Sequence, residues 1–432
     1  MQWWLRLFLV ACLVFTSTTS SAHEITLLEF VNLALQNHPS IAQAEALMTQ
    51  ARSELISIKN KLNVAFNASV QHNLATRNIS ENVVLAAHIT GRDGVDYQIQ
   101  VYPDQRQIHL QLTRPLLIPT EYLSSSRAVV AAERAIKEQE INYYSIKEQV
   151  IIEALYLYFN IEQVRQQIEL YQEWLSILEQ KYQTWQDAHQ YGLVTSAEMN
   201  QIVLQCAQKQ KEITALTKQL ELYHAWAASL YHLSGQIQLA AIGEIELYPL
   251  YELVPEIIAV DVALALLKCE WTDYELAAKQ AAEGMTAHLE AYHDADSWVI
   301  GVNVHIPLID PSKSASQINA QIQRNQTELL LAKAQMETLY RYQEQELRLV
   351  TAKDRLDAAV AAFKLAQAQL YNAQQQLNDG AINLVQLLTS KEQLLMCQLE
   401  MLQAQDQYRK AFVDHWLARC RWEYSQKISD SR

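Results

Sequence analysis

Proline and glycine are scarce in this chain of 432 residues, with eight of each, and the stretches without them are informative. Residues 120–248 and 312–432 contain no proline. A proline inside a helix costs about 3 kcal/mol, so nothing of that kind interrupts either run. Both are rich in Ala, Leu, Gln and Glu, which are good helix formers. Gly192 lies near the middle of the first run and Gly380 near the middle of the second. Each run therefore reads as a very long helix, a tight turn and a helix running back, a shape used twice in one chain.

Long hydrophobic runs are also missing. Hydrophobic residues make up 50% of the chain, yet no internal stretch of eighteen apolar residues occurs, which excludes a transmembrane helix. Positive charge is in deficit: 34 Lys and Arg against 48 Asp and Glu give a net charge of −14. Nucleic acid needs a basic surface, so it is not expected as a partner. No P-loop, G-x-S-x-G, H-E-x-x-H or glycine-rich nucleotide turn is present, so neither an enzyme nor a cofactor is expected.

The N-terminus carries a targeting signal. Arg6 precedes the apolar stretch Leu7 to Phe15, and a Ser/Thr patch leads to Ser20-Ser21-Ala22, which suits secretory cleavage before His23. A second reading takes Leu9-Val10-Ala11-Cys12 as a lipoprotein box; either way the chain is exported. The remaining cysteines, Cys206, Cys269, Cys397 and Cys420, form no C-x-x-C, and no metal site is expected from them. A disulfide is one outcome in an oxidising compartment; burial as small apolar residues in helix seams is the other.

Ile25 to Lys61 reads as a helix broken at Pro39, and then the pattern changes. From Leu62, apolar Leu62, Val64, Phe66, Ala68 and Val70 alternate with Asn63, Ala65, Asn67, Ser69 and Gln71, as in a strand wetted on one face. A second such run places Ile108, Leu110 and Leu112 against Gln107, His109, Gln111 and Thr113. Residues 75–105 between them read as a long loop with room for a short hairpin around Val95 to Val101.

The first long helix is expected from near Pro119 to about Gln190, on the order of 100 Å at 1.5 Å per residue. Its seam is Ala154, Tyr158, Ile161, Val164, Ile168, Tyr171, Leu175, Leu178, Tyr182 and Trp185, with the steps of three and four of a coiled coil. A shorter helix returns from about Thr195 to Leu233. The order then repeats. A helix from about Pro255 leads to an alternating run, Met285 to Tyr292, and a partner strand, Trp298 to Ile306. A second long helix follows, with the seam Leu349, Ala352, Leu356, Ala359, Phe363, Ala366, Leu370, Ala373 and Leu377. The expected division is a signal peptide at 1–22, a first structural repeat at 23–250 and a second at 251–432.

Ten-residue alternating strands are long enough to cross a bilayer when tilted. In lipid an open sheet edge is forbidden, because unpaired backbone groups there cost several kcal/mol each. Four strands cannot close a useful barrel, so several chains must share one, and three would supply twelve. The competing reading is a soluble sandwich, which leaves strands at one end of helices about 100 Å long without a core. For the helices the competing reading is a self-contained coiled-coil rod.

At this point the residues resemble a known family, the TolC-type outer-membrane efflux proteins. Ala34-Leu35-Gln36-Asn37-His38-Pro39-Ser40-Ile41 resembles the family's opening helix. Tyr191-Gly192-Leu193-Val194-Thr195-Ser196-Ala197-Glu198 resembles its first periplasmic turn, and Asp379-Gly380-Ala381-Ile382-Asn383 its second. The resemblance covers essentially the whole mature chain. It implies a mainly α fold with a small β part: duplicated long antiparallel helical hairpins forming an α-barrel. Four antiparallel strands per chain would join a twelve-stranded trimeric β-barrel. It further implies a homotrimer in the outer membrane that reaches into the periplasm and contacts outer-membrane lipid. Such a duct passively serves tripartite drug, metal or protein export, including type I secretion. Its partners would be a periplasmic adaptor and an inner-membrane pump of RND, ABC or MFS type. The reading set against it is a periplasmic structural coiled-coil protein that never enters the membrane.

On this resemblance Gly192, Leu193, Val194, Thr195, Gly380, Ala381, Ile382 and Asn383 form the periplasmic tip that docks the adaptor. Relatives narrow the mouth with acids six and nine positions after the second turn glycine; here those positions are Gln386 and Thr389. Glu198, six after Gly192, keeps an acid in the first repeat. It is either part of a ring of three charges or a solvated charge at a positive helix N-terminus. His109, His288 and His305 fall on the polar face of barrel strands and are expected to line the lumen. Polar lining is the reading preferred over a metal pathway.

Overall fold

Thr26 starts the first helix by a reciprocal cap. Its hydroxyl accepts from the Glu29 N–H at 3.3 Å, and its own N–H donates to the Glu29 carboxylate at 2.9 Å. The helix, α1 (Leu27–Asn37), stops at His38, whose backbone is extended because proline follows. α2 (Pro39–Asn60) then begins on that proline, the position where a missing N–H costs nothing. The computed structural model describes residues 24–60, 63–71, 82–90, 96–102, 107–116, 122, 124–231, 238–240, 257–283, 286–294, 297–305 and 311–431. The export segment 1–22 with Cys12, and residues 117–119 and 307–310 of the proline-bounded links, lie outside these residues.

The remaining helices follow the expected order. α3 (Ser124–Gln190, 67 residues) and α4 (Ser196–Tyr231) form the first hairpin. α5 (Val260–Glu283) opens the second half, and α6 (Pro311–Asn378, 68 residues) with α7 (Leu384–Ser431) forms the second hairpin. The short strands β1 (Glu24–Ile25) and β6 (Gln238–Leu239) pair in parallel.

The described chain divides into two compact units. The first comprises Met1–Ala42, Ile146–Ile257 and Tyr340–Arg421, and the second Gln43–Ser145, Ile258–Leu339 and Trp422–Arg432.

In the first unit α3 is the central element. Around residues 150–161 it is enclosed on several faces: Ile151, Leu155, Leu157 and Phe159 are buried as well as the seam residues Ala154 and Tyr158. Phe30 meets Tyr158 and Tyr231 edge-on at 5.6 and 5.1 Å. The Tyr158 hydroxyl donates to the Ala240 carbonyl at 2.7 Å and lies 3.2 Å from that of Ile25, tying α3 to the β1–β6 pair. Further along, Leu170 and Ile177 pack with Leu388, Leu395 and Leu402 of α7, so the hairpins join across the two halves. Lys209 of α4 stands over Tyr171 and Trp174 at 4.5 and 4.2 Å. Ala352, Ala366 and Ala373 of the α6 seam are buried, while Leu347, Val350, Leu365 and Tyr371 are exposed.

In the second unit, Ala259, Val262, Ala265 and Cys269 pack with Leu331 and Ala334 of α6 and Ile428 of α7. Cys269 and Cys397 are buried; all four described cysteines are free thiols. The start of α3 is flanked by exposed ion pairs, Lys59–Glu133 to α2 and Arg127–Glu275 to α5.

The second unit also contains one antiparallel sheet. Its strands are β2 (Asn63–Gln71), β3 (Asn82–Thr90), β4 (Asp96–Tyr102), β5 (Gln107–Pro115), β7 (Thr286–Asp294) and β8 (Ser297–His305). They pair in the order β2-β3-β4-β5-β7-β8. The four expected strands are all there, and the segment read as a loop with a short hairpin supplies two more, β3 and β4. Six strands thus pair in the described sheet, four of them those that the alternation marks.

Directly opposed residues share a sheet face, so the register can be read across the strands. One row runs Val64–Ile89–Tyr97–Leu112–Ala291–Ile300, apolar or aromatic on every strand. The neighbouring row on the other face runs Asn63–Thr90–Asp96–Thr113–Glu290–Gly301.

Candidate functional site

The two helical turns share one geometry. Gly192 has φ +72° and Gly380 has φ +70°, a left-handed conformation that glycine adopts without a Cβ penalty. At the first turn the Gly192 N–H donates to His189 O at 2.9 Å and the Leu193 N–H to Ala188 O at 3.0 Å. At the second, Gly380 donates to Leu377 O at 3.0 Å and Ala381 to Gln376 O at 2.8 Å. Both are Schellman motifs, which satisfy the last carbonyls of α3 and α6. Tyr191 and Leu193 are large apolar side chains left in solvent at the first turn, Leu193 with 79% of its surface exposed.

Each return helix then opens with a capping box. The Thr195 N–H and hydroxyl both donate to Glu198 Oε2 at 2.8 Å, and the Glu198 N–H donates to Thr195 Oγ1 at 3.3 Å. At the second turn the Asn383 N–H donates to Gln386 Oε1 at 3.0 Å, and the Gln386 N–H donates to Asn383 Oδ1 at 2.9 Å. Glu198 and Gln386 thus play one structural part, the acid carrying charge and the amide not. The hydrogen bond from the Thr195 backbone, then that from its hydroxyl, holds the exposed Glu198 carboxyl below its ordinary value.

Thr389 brings in two residues that the sequence did not single out. Lys181 of α3 lies 3.4 Å from Thr389 Oγ1 and 3.2 Å from the Glu392 carboxylate, both on α7. The Lys181 and Glu392 side chains are largely shielded, at 13% and 18% exposure. Glu392 follows Thr389 by three residues on one helix face; nothing in the periodicity marks Lys181.

In the second unit, His109 opposes Gln100, His288 opposes both Pro115 and Asn303, and His305 opposes Thr286. By parity all three histidines belong to the polar face. His88 of β3, opposite Gln98, joins them; it escaped notice because β3 itself did. His288 is half-buried, and its Nδ1 has no hydrogen-bond partner among the described residues.

Neither a family model nor a curated protein matches this sequence. Solved structures do match its fold. The outer membrane protein VceC of Vibrio cholerae superposes with a TM-score of 0.64 at 14% identity, covering 91% of this chain and 95% of VceC. The CmeC outer membrane channel of Campylobacter jejuni gives 0.61 at 15% identity, covering 94% and 88%. The open MtrE outer membrane channel of Neisseria gonorrhoeae gives 0.60 at 13%, covering 92% and 89%. The chain therefore has the fold of these outer-membrane channels over nearly its whole length.

Proposed function

We propose that this chain is the outer-membrane exit duct of a tripartite export system. It works as a homotrimer that conducts substrate passively from a periplasmic adaptor and an inner-membrane pump of the RND, ABC or MFS class. It is built as two repeats, 23–250 and 251–432, with no chemistry of its own. The observation that carries this is the sheet. An apolar row crosses all its strands in register, and Trp298, Ile300, Val302 and Val304 of its edge strand β8 are all exposed. Such a face suits lipid. In lipid the two open edges need partners, and copies of this chain are the simplest source. The fold shared with outer-membrane channels supports the location, and the resemblance to the TolC-type proteins supports the number three.

The turns at Gly192–Thr195 and Gly380–Asn383 are the adaptor-docking tip in this reading, with Leu193 offering an apolar contact. Glu198, Gln386 and Thr389 lie at the mouth. His109, His288 and His305 line the lumen.

The test is the native mass of the mature chain after detergent extraction from outer-membrane fractions, with conductance in a planar bilayer. A conducting trimer is expected. A monomer or dimer released from the periplasm without detergent would overturn the duct and favour a periplasmic coiled-coil protein.

A further inference from the structure

Thr389 stands at the mouth in the duct reading, and it has a cation and an acid beside it. Resting on that reading, we infer that Lys181 is a specificity-determining residue of the duct. Its ammonium cancels the Glu392 carboxylate, so that this acid adds no net charge to the path of a permeating ion.

Position is the first argument. Lys181 of α3 lies 3.4 Å from Thr389 Oγ1 and 3.2 Å from Glu392 Oε2. The three side chains therefore share one place where α3 meets α7, and whatever passes Thr389 passes the charged pair as well. Lys181 precedes Gly192 and Glu198 follows it. At 1.5 Å per residue the two stand about 16 and 9 Å along their helices from the same turn. That difference is within the Debye length of about 8 Å at physiological salt, so both sites act on an ion at nearly one level.

Compensation is the second. Glu392 is the first acid of α7. Its Oε1 is buried and has no hydrogen-bond partner among the described residues, while its Oε2 is paired with Lys181. Lys181 is thus the cation set against this carboxylate. Two opposite charges so close act at a distance as a small dipole, whose field falls off faster than that of a bare charge. Both side chains are largely shielded, where salt screens less than it does at an exposed pair. The ammonium also lies 5.9 Å from the centre of the Trp185 ring, a further hold on its place.

The experiment reads the single-channel reversal potential of the full mature chain in a planar bilayer under a KCl gradient at pH 8. It compares the native chain with Lys181→Met, Glu392→Gln, the double variant and Lys181→Arg. Lys181→Met is expected to raise the cation-to-anion permeability ratio at least about twofold, because three carboxylates then act unpaired within about a Debye length of the ion. Glu392→Gln should shift the ratio the opposite way. The double variant and Lys181→Arg, which both keep the balance of charge, should match the native chain. With a Debye length of about 3 Å at 1 M salt, all five should conduct alike there. Ratios that do not change overturn the inference. So do single variants that shift the same way and still differ at 1 M salt, because that pattern marks a loss of packing. A native chain that does not conduct overturns the duct reading beneath it.

Discussion

Alanine at Gly192 and at Gly380 should cost the same. Among the described residues an added Cβ meets nothing within 4 Å at either position, and both carry φ near +70°. No clash contributes, so the cost is that of holding an L-residue in the left-handed region, about 1–2 kcal/mol. The flanking hydrogen bonds of the two turns differ by no more than 0.2 Å, so no local term separates them. The loss appears as easier opening of the turn, read by amide hydrogen exchange at Leu193 and Ala381, the donors of the two longer-range Schellman bonds. Exchange should quicken by about 5–30-fold, the factor that one or two kcal/mol supplies. Asparagine, which tolerates this conformation better, should cost less than alanine at both positions. Turns that respond tenfold differently, or asparagine as costly as alanine, would refute the claim that backbone conformation alone selects these glycines.

The two caps provide a pH comparison with an internal control. Because Glu198 is held below its ordinary value, its contribution is present above the unfolded glutamate range and lost as pH falls through the folded value. Protection of the Glu198 amide should therefore decline in acid while that of Gln386 does not, measured by exchange corrected for intrinsic rates. Glu392→Gln should destabilise the detergent-solubilised chain by about 1–3 kcal/mol, since Lys181 loses its partner in a shielded site. Adding Lys181→Met should restore much of that, and additive losses in urea midpoints would contradict the pairing. Val302→Lys should reduce membrane assembly by about 2–4 kcal/mol per copy at mid-depth. Asn303→Lys, on the polar face, should assemble normally, as read by trimer yield in outer-membrane fractions. Tyr158→Phe removes the bond to Ala240 and should cost about 1 kcal/mol in urea unfolding.

What could be read from the residues follows from which interactions are local. A helix break at Pro39 and a turn at a lone glycine are decided within a few residues, and both stand where the pattern put them. β2 and β5 were legible because their two faces differ in polarity. β3 was not: Val84 and Ala86 sit on the face that is polar elsewhere, which blurs the period of two. His88 was lost with it. The enclosed stretch of α3 was half legible. Its seam shows as heptads, but Ile151, Leu155 and Phe159 are apolar off the seam because further elements, among them α1 and the β1–β6 pair, close over that part of the helix. Lys181 is one cation on a polar helix, and its contacts with Thr389 and Glu392 on α7 distinguish it.

The duplicated turns separate what a backbone requires from what it leaves free. Glycine at the helix end and a Thr or Asn with Glu or Gln three residues on are enforced twice by the same unsatisfied backbone groups. The charge at the third position is not, since Glu198 and Gln386 both close a reciprocal cap. The cap geometry therefore does not require the acid. Substituting Glu198→Gln keeps the helix start and removes one charge per copy, and a ring of these carboxylates would then lose cation preference in the single-channel reversal potential. An unchanged potential would leave Glu198 as a helix-end charge stabilised by the helix N-terminus.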